Sequence, residues 1–193
     1  DDNRAQAPRM SQGRLLGSID NVAVSAQLSP TGIGDSNYSA SGLACIGGKE
    51  VCSFTRSGDV LTLVRGQNNT TAITHDADER VQEVLNYDGD TPATIIADLL
   101  VNYADVNASF IPLAEWEEEC VNFLGGVIYA RAITEPIEVR KLINQMIEQA
   151  ALAMWWDERA QLIRLRVLRE ITTDADTFSE DTILLKSLQT KEQ

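Results

Sequence analysis

Asp88-Gly89-Asp90-Thr91-Pro92-Ala93-Thr94-Ile95-Ile96-Ala97-Asp98-Leu99-Leu100 is where the chain changes texture. Asp88-Gly89-Asp90 breaks a strand-like run. Thr91 is a good N-cap, and Pro92 suits the first helical position, where its missing N–H costs nothing. Ile95, Ile96, Leu99, Leu100 and Tyr103 then mark one face of a helix. Upstream of this junction the pattern is short strands, and downstream helices and strands alternate. The expected fold class is therefore α+β: a small antiparallel β barrel or sandwich over residues 19–88, then a helix–β-hairpin α+β module over 89–193. Residues 1–18, polar and carrying Pro8, Gly13 and Gly17, read as an arm or connector without a core of its own.

On the upstream side, Ile19 to Leu28 approaches the period-2 alternation of a strand, and a Ser/Pro/Gly-rich loop from Ser29 to Gly42 ends it. Leu43–Ile46 passes through Gly47-Gly48 into Val51–Thr55. Ser57-Gly58-Asp59 then turns the chain into Val60–Arg65, and Val81–Leu85 closes the set. On the downstream side, Leu113, Trp116, Cys120 and Leu124 form a second helical stripe that Gly125-Gly126 stops, before a strand at Val127–Ile133. Pro136 opens a third helix, with Val139, Leu142, Ile143, Met146, Ile147 and Ala150 on one face. Leu152–Trp156, the turn at 157–161 and the alternating Ile163-Arg164-Leu165-Arg166-Val167 make a hairpin, and Thr182–Leu188 reads as one more strand.

The 193 residues carry 16 basic and 29 acidic side chains, a formal charge of −13, with 44% hydrophobic residues. That apolar fraction excludes a disordered chain. Residues 1–90 hold seven bases against twelve acids and residues 91–193 nine against seventeen, so no basic block stands out. Nucleic acid and anionic membrane surfaces are accordingly poor partners. No apolar run approaches the roughly 20 residues of a membrane span. The start at Asp1-Asp2-Asn3-Arg4 and the uncapped end at Gln189–Gln193 suggest a piece of a longer protein. Three cysteines, Cys45, Cys52 and Cys120, are too few for a disulfide scaffold and favour a reducing compartment.

Candidate chemistry is sparse. His75 is the only histidine, so any Ser or Cys triad would have to use it. In the polar stretch Thr74-His75-Asp76-Ala77-Asp78-Glu79 it reads instead as a loop histidine bonded to the backbone. Cys45 and Cys52 flank Gly47-Gly48, and a four-residue loop over 47–50 would set them face to face, within reach of a disulfide. Asp76/Asp78 and Asp174/Asp176 lack the glycine and distal glutamate of a calcium loop. Glu115, Glu117, Glu118 and Glu119 read as the solvated face of their helix, favourably placed near its N-terminus. The sequons at Asn37, Asn68, Asn69 and Asn107 matter only in a secreted protein. No catalytic, metal or cofactor site is expected.

Trp155 and Trp156 adjoin on a strand and must point to opposite faces. One ring is expected in the core. The other faces solvent, a ligand or a partner subunit, and beside Arg164 and Arg166 it is an interface candidate, or else a sugar-stacking platform.

Two stretches resemble a known family. Phe54-Thr55-Arg56-Ser57-Gly58-Asp59, Leu63-Val64-Arg65-Gly66 and Thr70-Thr71-Ala72 with His75 are similar to a pattern recurrent in tail-tip or baseplate hub proteins of long-tailed bacteriophages and related gene transfer agents. Thr91–Tyr103, and Thr134 through Trp155-Trp156-Asp157 to Ile163–Arg169, resemble a region of the same proteins. Asn69 replaces the glycine usual in that pattern, and Asp78 stands where glycine is common. The resemblance implies a non-enzymatic structural subunit of the virion tail tip, assembled in the bacterial cytoplasm. The α+β module would belong to a hub body at the end of the tail tube, with the β module an insertion on it. Its partners would be further copies of itself, commonly in a trimeric ring, and neighbouring tail proteins. The rival readings are a host-surface (glycan or protein) binding module, which expects clustered aromatics on the β half, and a tail-borne cell-wall hydrolase, which expects a cleft with convergent carboxylates or His75.

Overall fold

The computed structural model describes residues 5–169. The chain opens with β1 (Gln6–Ala7), β2 (Arg14–Leu15), β3 (Ser25–Ser29) and a short helix α1 (Ile33–Asn37). Four longer strands follow, β4 (Ser41–Ile46), β5 (Glu50–Ser57), β6 (Val60–Gln67) and β7 (Val81–Asp90). The second half holds α2 (Pro92–Asp98), a π-helical turn at Leu99–Tyr103, a 3-10 turn at Ala108–Phe110 and α3 (Leu113–Leu124). Then come β8 (Tyr129–Ile133), β9 (Ile137–Glu138), α4 (Val139–Gln149) and the hairpin β10 (Leu152–Asp157) and β11 (Leu162–Val167). The strand expected at Thr182–Leu188 and the pair Asp174/Asp176 lie outside the described residues.

The fold class is α+β, as the sequence pattern predicts. Seven antiparallel strands in the order β2-β3-β6-β5-β4-β7-β8 form a strongly curled sheet. The chain around β2 returns to the segment before β7: Ile19 and His75 exchange N–H···O bonds of 3.0 and 2.9 Å, Leu15 N–H donates to Glu79 O, and Val81 N–H donates to Gly13 O. Inward-facing side chains alternate along each strand. Leu28, Ile46, Phe54, Leu61, Leu63 and Val81 fill the interior. The loop expected at 29–42 contains α1, held where Gly34 passes so close to Gly58 O that a side chain at 34 would collide with it.

β7 runs through residue 88 and carries the sheet into the second half, where β8 pairs with it from Leu85 to Asp90. The second core lies between this sheet extension, α2, α3, α4 and the hairpin, with Ile96, Leu99, Trp116, Leu142, Ile143 and Leu165 buried. Residues 5–15, within the connector expected over 1–18, bond to both halves. Gln6 and Ala7 pair with Glu138 and Ile137, while Ser11 bonds Gln82 and Glu83. Ala7 is fully buried in the second core.

Helix boundaries follow local chemistry. Thr91 Oγ1 accepts from Thr94 N–H at 3.1 Å with Pro92 at the first helical position, and Gly125 ends α3 in the left-handed region at φ +65°. Pro136 does not open α4. Ile137–Glu138 first extends to pair with β1, and the helix starts at Val139. Among the described residues no helix is long and apolar enough to cross a membrane.

Candidate functional site

The sequence placed its candidate residues on the β10–β11 hairpin. Strand alternation sets Trp155 opposite Arg164, and Ala153 opposite Arg166, on one face. Leu152, Met154 and Trp156 share the other face with Ile163, Leu165 and Val167. Neither indole is a core residue: Trp155 is 46% exposed and Trp156 47%. Trp156 lies on the inward face but beyond the rim of the core, where its ring meets Phe110 edge-on at 5.5 Å. Trp116 of α3 is the buried tryptophan, at 1% exposure.

The two arginines are engaged within the chain. Arg164 bonds Glu115 at 2.8 Å and Asp157 at 3.2 Å, and Arg166 bonds Glu119 at 2.7 Å. Glu119 is 4% exposed and also accepts from Arg169 and from Val167 N–H. It is therefore not part of a solvated face, as expected, but the anchor of α3 on β11. Burial opposes its ionisation. The Val167 amide and the two guanidiniums outweigh that and hold its carboxyl below the usual range. Trp116 Nε1–H donates to Ile163 O at 3.1 Å, a second tie along the same strand edge.

The strongest polar constellation lies at one end of the first core, and the sequence reading missed it. Glu50 is fully buried. Its carboxylate accepts from Arg65 Nε and Nη2, both at 2.7 Å, from Ile73 N–H at 3.0 Å and from Gly66 N–H at 3.1 Å. It also accepts from Cys52 Sγ at 3.3 Å and lies 3.1 Å from His75 Nε2. The other ring nitrogen, Nδ1, lies 2.6 Å from Glu79 Oε2. Arg65 extends the network to the carbonyls of Asp20, Ala23 and Ile73. Burial alone would raise the Glu50 pKa, but Arg65, the Ile73 amide, Cys52 and His75 together drive it far below the ordinary carboxylate range.

This network decides the reading of His75. Its ring bonds two carboxylates, not the backbone, and with 0% exposure it is out of a substrate's reach. The strand pattern held a signal for Glu50 and Arg65. Phe54, Cys52 and Glu50 are alternate residues of β5, as are Leu61, Leu63 and Arg65 of β6, so both inward rows end in opposite charges.

Cys45 and Cys52 do not face each other. The turn takes three residues, Ile46 pairs with Glu50, and Cys45 therefore sits opposite Val51. That one-residue difference sends Cys52 to the inner face of the curled sheet and Cys45 to its outer face, beside Val51 and Val84. Burial and the Glu50 carboxylate push the Cys52 thiol up to about 12. Among the described residues no group of three His, Cys, Asp or Glu side chains is arranged to hold a metal ion. No family model, curated protein or solved structure matches the chain.

Proposed function

We propose that this chain is a structural component of a bacteriophage tail tip or baseplate hub, contributing to tail assembly and to the machinery of host attachment or DNA delivery. One observation carries the reading: the polar residues of the stretch that resembles hub proteins are consumed in holding the fold. Arg65, Gly66 and His75 converge on Glu50. Arg56 bonds Asp35 and Gly58 O, and Asp59 accepts from Gly32 and Gly34 N–H at 2.7 and 2.8 Å. Asn69 and Asp78, which stand where the hub pattern carries glycine, have φ of +60° and +68°, the region glycine favours.

A scaffold role also suits the surface. The exposed aromatic rings Phe110, Phe123, Trp155 and Trp156 all lie in the second half, which the resemblance assigns to the hub body. The exposed large apolar side chains of the β half are aliphatic: Met10, Leu16, Val22, Val24, Val60 and Val64. That distribution favours subunit contacts on the hub body over an aromatic sugar platform on the insertion. The test is Trp155→Ala/Trp156→Ala in a phage that encodes this chain. Particles should lack tails or fail to infect while the protein stays folded; particles of full infectivity would refute the role.

A further inference from the structure

The single histidine of the chain lies between two carboxylates, and the hydrogen bonds around it fix where its protons are. One Glu50 oxygen accepts from Arg65 Nε, Gly66 N–H and the Cys52 thiol, the other from Arg65 Nη2 and Ile73 N–H. A protonated carboxyl would turn its own O–H against one of those donors, so Glu50 is ionised and only accepts. His75 Nε2, 3.1 Å from the second oxygen, therefore carries a hydrogen. Across the ring, Nδ1 lies 2.6 Å from Glu79 Oε2, so a proton lies on that line as well. Glu79 keeps 20% side-chain exposure, and Lys49 Nζ lies 3.5 Å from its other oxygen. Its bond to His75 and the Lys49 ammonium outweigh its burial and hold its carboxyl below the ordinary range. The second proton thus belongs to the nitrogen.

We propose that His75 is held as the imidazolium and that its Nδ1 proton is a latch, fastening residues 73–79, and strand β2 with them, to the curled sheet. With the ring charged, Arg65 and His75 balance Glu50 and Glu79. Without that charge a net negative charge remains where the Glu50 and His75 side chains have no exposure. A neutral ring has one N–H, so it serves one carboxylate and turns a lone pair on the other. No other group nearby compensates. Burial and the Glu50 carboxylate push the Cys52 thiol up to about 12, so it stays neutral. Arg14 bonds Asp78 O, Arg80 bonds Ser11 O and Gln82, and Asp76 is exposed. The latch holds more than its own segment. Ile19 and His75 exchange both backbone bonds, Leu15 N–H donates to Glu79 O at 2.9 Å, and Asp78 N–H donates to Leu15 O at 2.9 Å. The sign follows: the folded chain binds a proton that an unfolded histidine, with its ordinary value of about 6.5, releases. This part of the stability is whole below that pH and is lost as the solution turns alkaline. The latch goes beyond the tail-tip reading and stands or falls without any phage particle.

Because the chain has one histidine, its ring gives one unambiguous pair of nitrogen signals. Long-range ¹H–¹⁵N correlation of the full chain at about pH 7.5, where an exposed histidine is neutral, should show both nitrogens protonated, with closely similar shifts. One protonated and one bare nitrogen, widely separated, overturns the proposal. Glu79→Gln removes the acceptor at Nδ1 from a partly exposed position. In that variant the ring should be neutral at the same pH, and the fall in the urea midpoint that the parent shows from about pH 6.5 to 8.5 should be lost. Over the same range the Leu15, Ile19, His75 and Asp78 amides of the parent should lose exchange protection before those of β5 and β6. A parent midpoint that does not fall, a fall that Glu79→Gln leaves unchanged, or protection lost evenly across the sheet overturns the latch. Should the variant fail to fold, the ring signals of the unaltered chain decide.

Discussion

Glu50→Gln removes one charge from the buried network and changes almost nothing in volume. Glu50 is fully buried and Arg65 retains only 7% side-chain exposure, so the substitution strands a guanidinium inside the curled sheet. It also turns an amide N–H₂ toward donors that one carboxylate oxygen satisfied, the Ile73 amide on the Oε2 side or the Gly66 amide on the Oε1 side. Breaking a buried ion pair in this way costs about 3–5 kcal/mol, which for a chain of this size lowers Tm on the order of 10 °C. Urea unfolding followed by far-UV circular dichroism measures it; tryptophan fluorescence does not suffice, because all three indoles lie in the second half. A double-mutant cycle with Arg65→Met isolates the pair: the second substitution should cost at least ~2 kcal/mol less in the Glu50→Gln background. The pH dependence has a fixed sign. Because the folded carboxyl lies below its ordinary value of 4.5, its stabilisation is whole above that pH and is lost as the solution is acidified further. Glu50→Gln removes this part of the acid slope. A destabilisation under about 1 kcal/mol, or an unaltered slope below pH 4.5, would refute the reasoning.

Four further outcomes are expected. Trp116→Ala opens a cavity and deletes the bond to Ile163 O, costing about 3–5 kcal/mol, whereas Trp155→Ala in the monomer costs under about 1 kcal/mol; denaturant titrations separate them. Glu119→Gln costs about 1–2 kcal/mol, less than Glu50→Gln because Arg166 and Arg169 are 61% and 43% exposed and find water, and hydrogen exchange should locate the loosening in β11. Ala151 holds φ +48° in the turn between α4 and β10, so Ala151→Gly should raise the urea midpoint by an equivalent of about 0.5–1 kcal/mol. Cys45, Cys52 and Cys120 are buried and unpaired; aryl disulfide reagents should react slowly with the native chain and at three sites once it is unfolded, and mild oxidation should form no bridge between Cys45 and Cys52.

What the sequence made legible was what local chemistry dictates. The Thr91-Pro92 start of α2, the apolar stripe of α4 and the alternation of β11 each depend on residues within one or two turns of chain. What stayed hidden was set by register and by distant partners. A three-residue turn in place of four moved Cys45 away from Cys52. Glu119 resembles Glu117 and Glu118 in sequence, and only the docking of β11 on α3 distinguishes it. Ile137–Glu138 extend because residues 6–7, far away in the chain, pair with them before α4 begins. The adjacent tryptophans did alternate across their strand, but the inward face at 156 lies past the edge of the core, so alternation alone could not bury either ring.

Purified virions of a phage that encodes this chain test the central claim most directly. Immunogold labelling against this segment should place it at the distal end of the tail tube, with mass spectrometry detecting it as a stoichiometric virion protein. Its absence from infectious particles, or a label confined to the capsid, would contradict the account.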